Sequence, residues 1–111
     1  MDDCLFCRIV GGDIPSARVY EDDKVIAFRD IDPKAPVHVL IVPKKHFKSI
    51  MEADHETLTA LTDAAKKLAV QLGVAEKGFR LVINTGADGG QSVPHLHIHL
   101  LGSRELGWPP G

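Results

Sequence analysis

Polar and apolar residues alternate strictly from position 95 to position 100: His95, His97 and His99 are separated by Leu96, Ile98 and Leu100. Neighbouring residues of a strand point to opposite faces. The pattern therefore predicts a strand over residues 95–101, with Leu96, Ile98 and Leu100 in a core and three imidazoles on the other face. Residues 37–42 (VHVLIV) are β-branched and apolar, are closed by Pro43, and predict a buried strand. Residues 25–29 (VIAFR) and 79–84 (FRLVIN) predict two more, and residues 18–20 a short extended piece before a turn at 21–24. One long helix is expected over residues 54–72. Asp54 caps it, Leu58, Leu61, Ala65, Leu68 and Leu72 form its apolar stripe, and Gly73 ends it. A short helix is expected over residues 4–10, stopped by Gly11 and Gly12.

Several strands follow one another with no helix between them, which favours an antiparallel arrangement over βαβ units. The expected fold is α+β: an antiparallel sheet of about five strands, one long helix packed on it, and a short N-terminal helix. At 111 residues the chain is one domain, 1–111, with residues 102–111 as a C-terminal tail. Hydrophobic residues make up 44% and charged residues 25%, so disordered and fibrous classes are excluded. Thirteen Lys and Arg against fifteen Asp and Glu leave a net charge of −2, without the basic footprint of a nucleic-acid binder. No apolar run approaches the ~18 residues of a membrane span. The start, Met1-Asp2-Asp3, is acidic where a secretory signal would be basic. The expectation is a cytoplasmic protein with neither nucleic-acid nor membrane partners.

Candidate chemistry concentrates in the histidines. Three of the six lie within five residues, spaced ~6.7 Å apart along a strand. A solvated face more commonly carries Lys, Thr or Glu. One ion would also struggle to reach three nearly collinear imidazoles at ~2.1 Å. A neutral imidazole, with a pKa near ~6.5, is already nucleophilic at pH 7. Cys4 and Cys7 form a CxxC, a poor staple because it closes so short a loop. A metal or redox role fits better, and the βαβ setting of a thioredoxin is missing. The glycine-rich loop over residues 86–93 is either a plain hairpin loop or a phosphate cradle whose backbone N–H groups approach an anion. Ser92 adds a hydroxyl donor there, and no GxxxxGK[ST] is present. Asp30 suits either ribose hydroxyls or a local turn.

His95-Leu96-His97-Ile98-His99-Leu100-Leu101 resembles the motif of the histidine triad (HIT) family, H-φ-H-φ-H-φ-φ. Asn84-Thr85-Gly86 and residues 88–93 resemble its loop, and residues 28–31 and 36–46 match as well. Trp108-Pro109-Pro110-Gly111 looks like the nucleoside phosphoramidase (Hint) branch. The similarity spans residues 4 to 111. It implies attack by His97 on the α-phosphorus of a nucleotide, giving a nucleotidyl-histidine that water hydrolyses. It implies catalytic roles for His95, His99 and His38 beside it. It also implies a nucleotide site of Asp30 at the ribose, Phe28 and Ile31 as walls for a purine base, and Asn84, Gly90, Gln91 and Ser92 at the phosphate. No cofactor is required for that chemistry. A homodimer is implied, its sheet continuing across the two-fold, with Trp108 and Gly111 near the partner's site. Zinc-containing bacterial members carry a CxxC, which implies a structural Zn²⁺ on Cys4, Cys7, His46 and His95. A phosphate role for His95 competes with that assignment.

The reading is a purine nucleoside phosphoramidase that releases AMP and an amine from adenosine 5′-phosphoramidates. Two alternatives stand beside it. One is a nucleotide-binding adaptor whose hydrolysis is vestigial. The other is a dinucleoside polyphosphate hydrolase, against which Gly102 stands where that branch carries a proline.

Overall fold

The structure, a computed structural model, describes residues 3–111. Met1 and Asp2, which enter the reading of the acidic start, lie outside them. The elements are α1 (Leu5–Val10), β1 (Arg18–Glu21), β2 (Val25–Arg29), β3 (Val37–Pro43), a single 3₁₀ turn (Ile50–Glu52), α2 (His55–Gln71), β4 (Phe79–Val82) and β5 (Ile98–Gly102). The five strands form one sheet in the order β1-β2-β3-β5-β4, and every neighbouring pair is antiparallel. The α+β fold is as the strand and helix patterns predict.

α2 begins where a carboxylate can take its first orphan amides: Asp54 accepts the Thr57 N–H at 2.7 Å. It ends at Leu72, and Gly73 beyond it has φ +76°, a left-handed turn that glycine adopts without strain. Leu61, Ala65 and Leu68 are buried as the stripe requires, and Ala64 and Ala69 join them. Leu58 and Leu72 lie at the partly buried margin.

The sheet has two covered faces. Val25, Ala27, Val39, Ile41, Ile98 and Leu100 pack against α2. Ile26, Phe28, Leu40 and Val42 point the other way and pack against Phe6 and Ile9 of α1. The period of two thus sends alternate residues of the same strands into separate cores. β2 and β3 sit in the middle of the sheet with a covering on both sides, which is why they read as nearly continuous apolar runs.

The structure corrects two boundaries. The expected strand 95–101 starts only at Ile98. The β3·β5 ladder ends at the pair Ile41↔Ile98, because Pro43 has no N–H with which to extend it. The Leu96 N–H instead donates to the Phe47 carbonyl at 2.7 Å, and the His95 N–H to Val93 at 2.8 Å. The expected strand 79–84 stops at Val82, opposite His99.

Candidate active site

The register of β3 on β5 sets the centre of the site. Leu40 pairs with His99, and His38 lies two residues away on the same face of β3, diagonal to His99. Their rings meet: His38 Nε2 is 3.0 Å from His99 Nδ1. Asp30, at the end of β2, places Oδ2 3.5 Å from His38 Nε2, while its Oδ1 accepts the Asp32 N–H at 2.8 Å. The turn role and a free carboxylate oxygen therefore coexist in one residue.

His97 lies beside His99, with ring centroids 5.0 Å apart, and under the edge of Phe6 at 4.9 Å. It is nearly buried, at 5% exposure. Its Nδ1 is 2.7 Å from the His95 carbonyl. A carbonyl can only accept, so Nδ1 carries the proton and Nε2 carries the lone pair. Burial lowers the pKa of His97, against the raising effect of the His95 carbonyl bond and of Asp30. Burial likewise pushes His99 down to about 4, helped by His97 and His38. Both rings are neutral at pH 7.

His95 has no exposure at all, and both of its nitrogens are engaged. Its Nε2 donates to the Pro43 carbonyl at 3.0 Å, so Nδ1 is the lone-pair nitrogen. That atom lies 3.3 Å from Cys4 Sγ, 3.5 Å from Cys7 Sγ and 3.1 Å from His46 Nδ1, and Cys7 Sγ lies 3.2 Å from His46 Nδ1. A tetrahedral Zn²⁺ with two S and two N ligands has edges of roughly 3.3–3.8 Å. The donor set fits a zinc ion in number, chemistry and spacing, with Pro43 as the outer partner that fixes the His95 tautomer. Burial, and then the neighbouring Cys4, push the Cys7 thiol up to about 11, which disfavours a thiolate that a cation would stabilise. Cys4 also caps α1, its sulfur accepting the Cys7 N–H at 3.3 Å.

Asp30, His38 and His99 also converge closely enough to suggest a second metal site. Proton placement argues against it. The Lys34 amide donates to His38 Nδ1 at 3.1 Å, so the ring proton occupies Nε2, the nitrogen such a site would need.

An apolar cavity of about 340 Å³ opens beside the histidines. Phe6, Ile9, Ile14, Phe28 and Leu40 wall it, with Asp30 and Ile31 at its rim. Phe28 is buried and Ile31 fully exposed, an apolar rim that a flat ring would cover. Phe6 joins the two halves of the site, because it lines the cavity and also packs on His97. The CxxC signals α1, but nothing local signalled that Phe6 and Ile9 would form a cavity wall.

The glycine loop is braced from within. Gly86 N–H donates to Gln91 Oε1, and Gln91 Nε2 donates to the carbonyls of Lys48 and Val93. Asn84 Nδ2 donates to the Gly89 carbonyl at 2.7 Å. These side chains shape the loop with the very groups that were expected at a phosphate. Gly89 admits no side chain, since a Cβ there would lie 2.3 Å from the Thr85 carbonyl oxygen. Gly90 and Ser92 remain exposed. Trp108 is 84% exposed and lies apart from the cavity lining. Its tail is held to β4 by Arg80, which donates to the Gly107 carbonyl at 2.7 Å.

The profile of the HIT domain matches residues 11–106. A 14 kDa zinc-binding protein of Brassica juncea is 48% identical over 98% of this chain and 100% of its own. Adenylylsulfatase HINT1 of Arabidopsis thaliana is 48% identical over 96% of this chain and 76% of its own. The crystal structure of a HIT family hydrolase from Legionella pneumophila superposes with a TM-score of 0.95 at 50% identity, covering 98% of this chain and 100% of that one.

Proposed function

The chain belongs to the HIT domain family, and from that premise we propose that it is a nucleotide hydrolase acting on adenosine 5′-phosphoramidates. One observation carries the reading. His97 presents a lone-pair Nε2 whose opposite nitrogen is pinned to the His95 carbonyl, and it packs on Phe6, which also walls a base-sized apolar cavity lined in part by Asp30. The base occupies the cavity, the ribose hydroxyls bind Asp30, and the phosphorus lies over His97. The lone pair of Nε2 forms an N–P bond as the P–N bond of the substrate breaks, and the amine leaves protonated by solvent. The Nδ1–H bond to the His95 carbonyl stabilises the cationic imidazole of the intermediate. Water then attacks phosphorus, AMP leaves, and the electron pair returns to Nε2. Ser92 and the amides near Gly90 donate to the phosphoryl oxygens. In this reading His95 serves the zinc ion and not the phosphate, because both of its nitrogens are engaged.

A second reading keeps the site and changes the leaving group to sulfate, which departs without a proton. The name of the Arabidopsis relative, adenylylsulfatase, favours it. Side-by-side turnover of an adenosine 5′-phosphoramidate and of adenosine 5′-phosphosulfate decides between them. A kcat/KM at least ~10-fold higher for the phosphoramidate is expected. The reverse order selects the sulfatase, and binding of AMP with neither substrate turned over selects the adaptor.

The same proposal includes a homodimer formed through β4. One edge of the sheet, β1, is broken by an irregular register at Arg18 and Tyr20. The other, β4, is regular and exposes Phe79 and Leu81, an unprotected edge that a second copy can extend. Sedimentation should show a dimer that Leu81→Lys converts to monomer; a monomeric wild type would refute it.

A further inference from the structure

We propose that the Ser16 hydroxyl hydrogen-bonds the polar edge of the base when a nitrogen heterocycle fills the apolar cavity, and so is a specificity-determining group of the site. The proposal deepens the reading of that cavity as a base site and rests on it.

Among the described residues of the interior and its margin, Ser16 Oγ is the one buried side-chain nitrogen or oxygen with no hydrogen-bond partner. An unpaired buried hydroxyl is costly, and native folds leave few of them. Ser16 stands in the lining of the cavity, beside Ile14, Pro15 and Phe28. The acceptors of its own segment are engaged elsewhere. The Ile9 and Val10 carbonyls accept from the Arg18 guanidinium, and the Arg8 carbonyl from the Asp13 amide. The Ala17 carbonyl accepts the Arg29 N–H at 3.0 Å. Pro15 has no N–H to offer.

The fold sets where this hydroxyl can act. The bond between Arg29 and Ala17 lays residues 16–17 along the outer side of β2, just ahead of β1. Leu40 on β3 and Phe28 on β2 lie between that segment and β5. The order β1-β2-β3-β5 therefore puts Ser16 at the end of the cavity remote from the histidine strand. With the phosphorus over His97 and the ribose on Asp30, the part of a nucleotide that extends to this end is the base.

Ser16 as a residue is only partly buried. Its hydroxyl turns about one torsion among three staggered positions. It can donate to a ring nitrogen or accept from an exocyclic amino group. Turning toward a base breaks no existing hydrogen bond, because the oxygen has none. Phe6, Phe28 and Leu40 contact ring faces without fixing an orientation, whereas one placed polar group fixes it. The free protein carries the cost of the unpaired oxygen, and the bound base removes it.

Calorimetric titration with AMP and with ribose 5-phosphate, beside thermal melting of the free protein, tests the assignment. Ser16→Ala should weaken AMP binding by about 5- to 10-fold. It should leave ribose 5-phosphate, which has the sugar and the phosphate but no base, within about 2-fold. The free variant should melt no lower than the wild type, because alanine removes the unpaired oxygen. Unchanged AMP affinity in Ser16→Ala overturns the proposal. So does an equal loss for both ligands, or a lowered melting temperature, either of which gives Ser16 a structural role instead. A wild type that binds AMP no better than ribose 5-phosphate refutes the base site itself and the proposal with it. A wild type that binds AMP and turns over no phosphoramidate refutes the activity alone, and the role of Ser16 is still decided by the titrations.

Discussion

His97→Ala should lose adenosine 5′-phosphoramidate turnover by ~10³-fold or more, with nucleotide affinity changed far less. The alanine removes the only imidazole of the row whose nitrogens are divided between a pinned donor and an uncommitted lone pair. His99 cannot substitute, since its Nδ1 is taken by His38. His95 cannot either, because it is wholly buried with both nitrogens engaged. Acid quenching of the wild type during turnover should trap the nucleotidyl group on His97, and mass spectrometry of the peptide identifies the residue. The pH profile carries a second signature. Burial lowers the pKa of His97, so the nucleophile stays unprotonated below the usual imidazole value of ~6.5, and kcat/KM should hold level through neutral pH before falling on the acid side. Turnover that survives His97→Ala within about 10-fold would remove the covalent mechanism.

Removing zinc should be the second large effect. The four donors come from three places: Cys4 and Cys7 at the start of α1, His46 after β3, and His95 before β5. The ion would therefore bind α1 to the sheet, and α1 carries Phe6, which packs on His97 and walls the cavity. The purified chain should hold one zinc per copy. Chelation or Cys7→Ser should lower the melting temperature by roughly 10 °C or more, as a loss of ~2–3 kcal/mol does for a domain of this size. Activity should fall with it as the cavity wall loosens. His55→Ala, an exposed histidine at the start of α2, should do neither. A chain purified without zinc, with melting unmoved by chelator, would refute the metal site.

Much of this arrangement is legible in the sequence, for local reasons. Period-two alternation puts Leu96, Ile98 and Leu100 into the α2 core, and that follows from strand geometry whatever the neighbours are. The long helix, its Asp54 cap and its Gly73 exit are likewise short-range. The CxxC predicts a metal or redox site because two thiols at that spacing have few other uses. Elsewhere one residue type admits several roles and only its surroundings choose. Gln91 and Asn84 are residues that the motif places at a phosphate, and here their amides brace the glycine loop, because carbonyls of Lys48, Gly89 and Val93 lie within reach.

The alternation alone determined that the three imidazoles would turn away from the core that takes Leu96, Ile98 and Leu100, and the cysteine spacing determined that a donor pair would stand near the N-terminus. Only the tertiary structure decided which nitrogen of each ring is free. His95 yields a lone pair to the cysteines because the Pro43 carbonyl, 52 residues away in sequence, takes its proton. His99 is held by His38, 61 residues away. An imidazole has two nitrogens and one proton, and the donors and acceptors that settle their division are brought together by the packing of the sheet. No pattern within the strand itself records them.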